Sequence, residues 1–140
     1  MRCCIVLLAL LLFASPIDSQ TRVDSPSSGS TVRKAILDGL RVPVENDLHQ
    51  PVKFKVDVIK VQDGWAFVRG VPQRSDGSVV DYTGTKYKEA IDLGAFDEGF
   101  CALLRKEGKS WQVVTYAIGS TDVPWVTWAE EHKAPEAIFK

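Results

Sequence analysis

Residues 52–69 read Val-Lys-Phe-Lys-Val-Asp-Val-Ile-Lys-Val-Gln-Asp-Gly-Trp-Ala-Phe-Val-Arg, and this stretch decides the fold class. Val52, Phe54, Val56 and Val58 alternate with Lys53, Lys55 and Asp57. That period of two marks a strand with one apolar and one solvated face. The phase slips at Ile59 and Val61, which calls for a β-bulge there or for a strand covered on both faces. Asp63-Gly64 is a hairpin-turn signal, and Trp65 to Arg69 forms the return strand.

The same pattern recurs downstream. Phe100 to Arg105 reads as a third strand, Glu107-Gly108-Lys109 as a turn, and Trp111 to Ile118 as a fourth strand. The two hairpins are separated by residues 71–97, which contain Pro72, Asp76-Gly77, Gly84 and Gly94. This segment reads as a long loop with a short helix or strand near Tyr87 to Ile91, and loops of this length are often functional or mobile.

Helices flank the strands. Ser30 or Thr31 suits an N-cap, and Val32, Ala35, Ile36 and Leu40 follow at the spacing of one buried helix face. Gly39 and Pro43 limit that helix, with a further short turn through Glu45 to Leu48 available to extend it. Near the C-terminus Thr121 or Asp122 is placed to cap a last helix that has Pro124 near its start, Trp125, Trp128 and Ala129 at helical spacing, and Pro135 at its end. The expected architecture is therefore α+β: an antiparallel sheet of about four strands packed by an N-terminal helix and a C-terminal Trp-bearing helix, both on one face. It forms a single domain over residues 31–140.

Ahead of this domain, Arg2 precedes an apolar block from Ile5 to Phe13, which breaks at Ser15-Pro16 into Ile17-Asp18-Ser19. This is the order of a secretory signal peptide, expected over residues 1–19 with cleavage after Ser19. The block is shorter than the roughly 20 apolar residues of a membrane span, so no transmembrane segment is expected after cleavage. Residues 20–30 are rich in Ser and are expected to be a flexible lead-in. The mature chain is then exported, to the periplasm or the medium. Of three cysteines, Cys3 and Cys4 fall in the signal, which leaves Cys101 without an intramolecular partner. A formal net charge of -1 provides no clustered basic footprint for nucleic acid or an anionic membrane.

The order of these parts resembles the cystatin-like and nuclear-transport-factor-like superfamily, in which an N-terminal helix lies across a curved antiparallel sheet. More locally, Trp65-Ala66-Phe67-Val68, Ala102-Leu103-Leu104-Arg105, Trp111 with Val113-Val114, and Thr121-Asp122 with Trp125 and Trp128 are similar to small exported bacterial proteins of uncharacterised function. The resemblance implies a fold and carries no chemistry with it.

Residue chemistry narrows the function classes. His49, His132 and Cys101 lack the paired spacing of a zinc site, so no metal site and no cofactor are expected. Cys101 lies in an apolar strand, where a thiol stays protonated and packs. Gly84-Thr85-Lys86 ends like a phosphate-binding loop but lacks the upstream glycine. Asp92, Asp97 and Glu98 cluster in a loop without the alternating ligands of a calcium site.

The first expectation is a non-catalytic exported binding or interaction module. It would hold a small apolar ligand or an envelope protein through the concave side of the sheet and residues 71–97, with Trp125 and Trp128 as ligand contacts. An alternative is a small isomerase- or dehydratase-like enzyme whose pocket pairs a carboxylate with a tyrosine, for which Asp81, Tyr82, Tyr116 and Asp122 are the candidates. A third is an inhibitor or assembly subunit acting through hairpin tips at Asp63-Gly64 or Glu107-Gly108.

Overall fold

The computed structural model describes residues 22–140, so the signal peptide expected over 1–19 lies outside the described residues. Among the described residues no helix is long and apolar enough to cross a membrane. The chain runs through helix α1 (Thr31–Leu48), strands β1 (Lys53–Gln62) and β2 (Trp65–Gln73), a short helix α2 (Lys88–Asp92), strands β3 (Phe100–Glu107) and β4 (Ser110–Ile118), and helix α3 (Trp128–His132). Single 3₁₀ turns at Pro124–Val126 and Glu136–Phe139 bracket α3. The four strands form one antiparallel sheet in the order β1-β2-β3-β4. This is the α+β architecture expected, with an N-terminal helix and a C-terminal Trp-bearing helix.

The phase slip in β1 is a bulge, one step earlier than the alternation suggests. Val56 faces Gly70 and Val58 faces Arg69, so Asp57 has no partner across the ladder. Phe54 and Val56 before the bulge, and Ile59 and Val61 after it, then contribute to the same apolar cluster. The extra residue explains why the apolar positions change from even to odd numbers. Gly70 makes this close pairing possible, because a Cβ there would come within 2.1 Å of the Lys55 carbonyl oxygen.

Helix α1 continues well past the end expected at Leu40. Ser30 caps it, accepting a hydrogen bond from the Arg33 N–H at 3.3 Å, and His49 closes it in the left-handed conformation at φ 55°. Its buried stripe is Ile36, Leu40, Val44 and Leu48, whereas Val32, expected on that face, is exposed. Pro43 lies inside the helix. It removes the N–H that would reach Gly39, but burial of Val44 and Leu48 beyond it holds the last turns in place. Gly39 is there for a second reason: a Cβ would come within 2.3 Å of the Trp111 carbonyl, so the helix rests directly on the β4 backbone.

The two helical ends cover opposite faces of the sheet, which corrects the expectation that both pack on one. Ala66 and Val68 of β2 and Ala102 and Leu104 of β3 join Ile36, Leu40 and Trp111 in one apolar cluster. Trp65, Phe67, Cys101 and Leu103, which alternate with them, join Trp128, Ala134 and Ile138 in another. Successive side chains of a strand point to opposite faces, so β2 and β3 are the buried middle of a three-layer stack.

Residues 71–97 are tied to the first of these layers. Val80 and Tyr82 are buried, and Tyr82 packs against Phe96 at 4.8 Å and Tyr87 at 6.0 Å between ring centroids. The buried Thr85 hydroxyl donates to the Tyr82 carbonyl at 2.7 Å. Within residues 20–30, Asp24 exchanges two backbone hydrogen bonds of 2.8 Å with Val61, and the Pro26 carbonyl accepts from Arg33 at 3.3 Å. The lead-in is thereby fastened to the outer edge of β1.

Candidate functional site

Among the described residues, charged and aromatic side chains meet at several places, two of which draw on segments remote in the chain. The first is a knot around Asp47, on the last turns of α1. Its carboxylate accepts from Tyr87 Oη at 2.5 Å and from Tyr116 Oη at 2.9 Å, and it pairs with Lys86 Nζ at 2.8 Å. Partial burial pushes the Asp47 carboxyl upward, but the hydrogen bonds from Lys86, Tyr87 and Tyr116 outweigh it and hold the group below the usual carboxylate range. Burial first, and then the bond to Asp47, raises Tyr116 to about 12; the same causes raise Tyr87 further. Both tyrosines stay neutral donors. The knot joins α1, β4 and the segment leading into α2, with three side chains converging on one carboxylate.

The second place is a cleft of about 370 Å³ on the sheet face that carries the C-terminal segment. It lies where β2 ends, β3 begins and β4 ends, and it is roofed by the turn from Ser120 to Trp125. Asp57 at the β1 bulge, Arg69 of β2, Asp97 of the loop before β3 and Asp122 of the roof all line it, and all four are exposed. The Arg69 guanidinium stands 4.4 Å from the centroid of the Trp125 ring, which in turn packs on Phe67 at 5.6 Å. Two backbone hydrogen bonds staple the walls: the Asp97 N–H donates to the Gly119 carbonyl at 3.1 Å, and the Gly119 N–H to the Gly99 carbonyl at 2.9 Å. Asp97 Oδ1 also accepts from the Gly99 N–H at 2.9 Å, which fixes that carboxylate. Val123, half exposed, lines the cleft beside Pro124 and Trp125.

Among the described residues, none of Asp57, Arg69, Asp97 and Asp122 forms an ion pair within 4.0 Å, although all four line one cleft. Nor do any three His, Cys, Asp or Glu side chains among the described residues converge closely enough to hold a metal ion. Cys101 also lines the cleft, but burial lifts its thiol to about 11, against smaller lowering by the Ala117 backbone and Arg69. At neutral pH it is a packed thiol and a poor nucleophile.

The sequence candidates are dispersed between these places and the surface. Asp81 is exposed, accepting from the Thr83 N–H at 2.9 Å and lying 3.5 Å from Arg74. Hydrogen bonds from Thr83 hold it below the usual carboxylate range. Tyr82 is buried in the aromatic group described above, and burial, then Glu98, raises it to about 12. Tyr116 does meet a carboxylate, but that carboxylate is Asp47. Asp122 is exposed on the cleft roof and caps no helix, since Val123 occupies the cap position of the 3₁₀ turn without a side-chain bond. Trp125 lines the cleft, whereas Trp128 is buried edge-on to Phe67 at 6.5 Å.

Other readings of the sequence also find definite places. Lys86 of the Gly84-Thr85-Lys86 triplet is spent on Asp47, and Thr85 on the Tyr82 carbonyl. Asp92 pairs with Lys88 along α2. Sequence reasoning missed Asp47, Asp57, Arg69 and Tyr87; the repeat of Val44 and Leu48 after Ile36 and Leu40 was the signal that α1 reaches Asp47. No protein family matches this chain, and no curated protein or solved structure is significantly similar to it.

Proposed function

We propose that the protein is an exported, non-catalytic binding module and that the cleft beneath Trp125 is its binding site. The observation that carries this reading is the contrast in partners. Asp47 is engaged by Tyr87, Tyr116 and Lys86 from within the protein, while in the cleft Arg69 is stacked on Trp125 and Asp97 is fixed by the Gly99 N–H, and among the described residues neither forms an ion pair. A catalytic base needs a lone pair directed at a reacting atom, and a binding site needs groups held in place and left open.

The test is a thermal-shift screen of a chemically broad fragment library against the mature protein, repeated on Trp125→Ala and Asp47→Asn. Hits that vanish in Trp125→Ala and survive in Asp47→Asn support the cleft. Absence of any hit, or hits lost only in Asp47→Asn, would count against it and favour an enzyme built on the tyrosine-carboxylate knot.

A further inference from the structure

The chemistry of the cleft restricts what it can hold. Resting on the binding reading above, we infer that the ligand is a small zwitterion carrying a carboxylate and an ammonium group, of the kind presented by a free α-amino acid.

A guanidinium packed against an indole keeps its N–H fork in a fixed plane, and that fork matches the two oxygens of a carboxylate. Arg69 is held this way by Trp125 and has no carboxylate within 4.0 Å among the described residues. An anion alone would nevertheless meet Asp57, Asp97 and Asp122 in the same space. These exceed the single Arg69 in charge, so a simple anion is repelled. A simple cation makes no use of Arg69 and is repelled by it. A molecule with both groups answers both, its carboxylate on Arg69 and its ammonium toward the aspartates. The volume of about 370 Å³ suits a small ligand, at the lower end of the roughly 300–1,000 Å³ of ligand clefts. The remaining part of the ligand meets an apolar wall at Val123 and Pro124.

The experiment titrates the protein with the common amino acids, following Trp fluorescence and calorimetry. Each amino acid that binds is compared with its amide, which lacks the carboxylate, and its N-acetyl derivative, which lacks the ammonium. Loss of either charge is expected to weaken binding by roughly tenfold or more, the worth of one hydrogen bond to a charged group. Arg69→Met should erase the distinction between acid and amide, and Asp122→Asn or Asp57→Asn that between amine and N-acetyl derivative. Asp47→Asn should leave all affinities unchanged.

Equal binding of the N-acetyl derivatives, or no amino acid binding at millimolar concentration, overturns the inference. If amino acids fail while neutral fragments still shift the protein through Trp125, only the ligand class is wrong. If neither binds, the binding reading falls as well.

Discussion

The Asp47 knot and the Arg69–Trp125 cleft are built from the same kinds of residue, brought together from comparably remote segments, yet they differ in what is left over. In the knot an ammonium and two phenols converge on one carboxylate, and each bond ties α1 to another part of the chain. In the cleft a cation rests on an aromatic ring and three carboxylates stand near it without closing on it. Polar groups that satisfy one another hold a fold together. Groups fixed by their backbone and left unpaired keep their interaction energy for something that arrives later.

Asp47 is the position where the two regions should differ most. Asp47→Ala leaves Lys86, Tyr87 and Tyr116 without their acceptor and is expected to cost about 3 kcal/mol. That corresponds to a fall of roughly 10 °C in the midpoint of thermal unfolding by circular dichroism. A fall of only a degree or two would mean that the knot is not structural. Next is Gly70→Ala, at the cleft margin but deciding only backbone contact: forcing a Cβ against the Lys55 carbonyl should cost about 2 kcal/mol by overpacking. An unchanged denaturant midpoint would show that the bulge has room to spare.

A pH series sharpens the same contrast. Because the folded Asp47 carboxyl is held below its ordinary value, its contribution is complete above the unfolded value of about 3.9 and drains away as pH falls through the folded value. The stability difference between the wild-type protein and Asp47→Asn should therefore shrink on acidification. Asp38, Asp76 and Asp81, also lowered, are present in both proteins and cancel. A difference that is flat from neutral pH to the acid limit would contradict this account.

The smallest effects belong to the cleft. Arg69→Ala should change stability by no more than about 1 kcal/mol, the worth of an exposed cation-ring contact, while altering Trp emission. Asp57→Asn and Asp122→Asn should stay within about 0.5 kcal/mol of wild type in chemical denaturation. A large loss in any of these would make the cleft a structural element like the knot.

The sheet was legible because alternation in β1 and the turns after Gln62 and Glu107 are local signals. The bulge was legible as a change of phase but not as a position, since periodicity shows that a residue has been inserted and not which one; the ladder assigns it to Asp57. The second half of α1 was hidden by Gly39 and Pro43. Both are helix breakers by propensity, and both are overruled here, one by the approach to Trp111 and the other by the burial around it. Trp125 and Trp128 have the spacing of one helix face, but the chain passes from a 3₁₀ turn to α3 between them, which puts one ring in the cleft and the other in the core. Neither candidate site could be read in advance, because their members meet only through tertiary structure: Asp47 reaches Tyr87 and Tyr116 across 40 and 69 residues.

The fastening of Asp24 to Val61 has a consequence for how copies of this chain meet. An open sheet ends in backbone groups ready to accept another strand, and β1 is such a margin. Here part of the margin is already taken by the chain's own leading segment, and Lys53, Lys55 and Lys60 punctuate the rest of the strand with charge. Growth of the sheet by addition of a neighbouring molecule is discouraged at β1, and the protein can be crowded against itself without that edge becoming a seed for fibres.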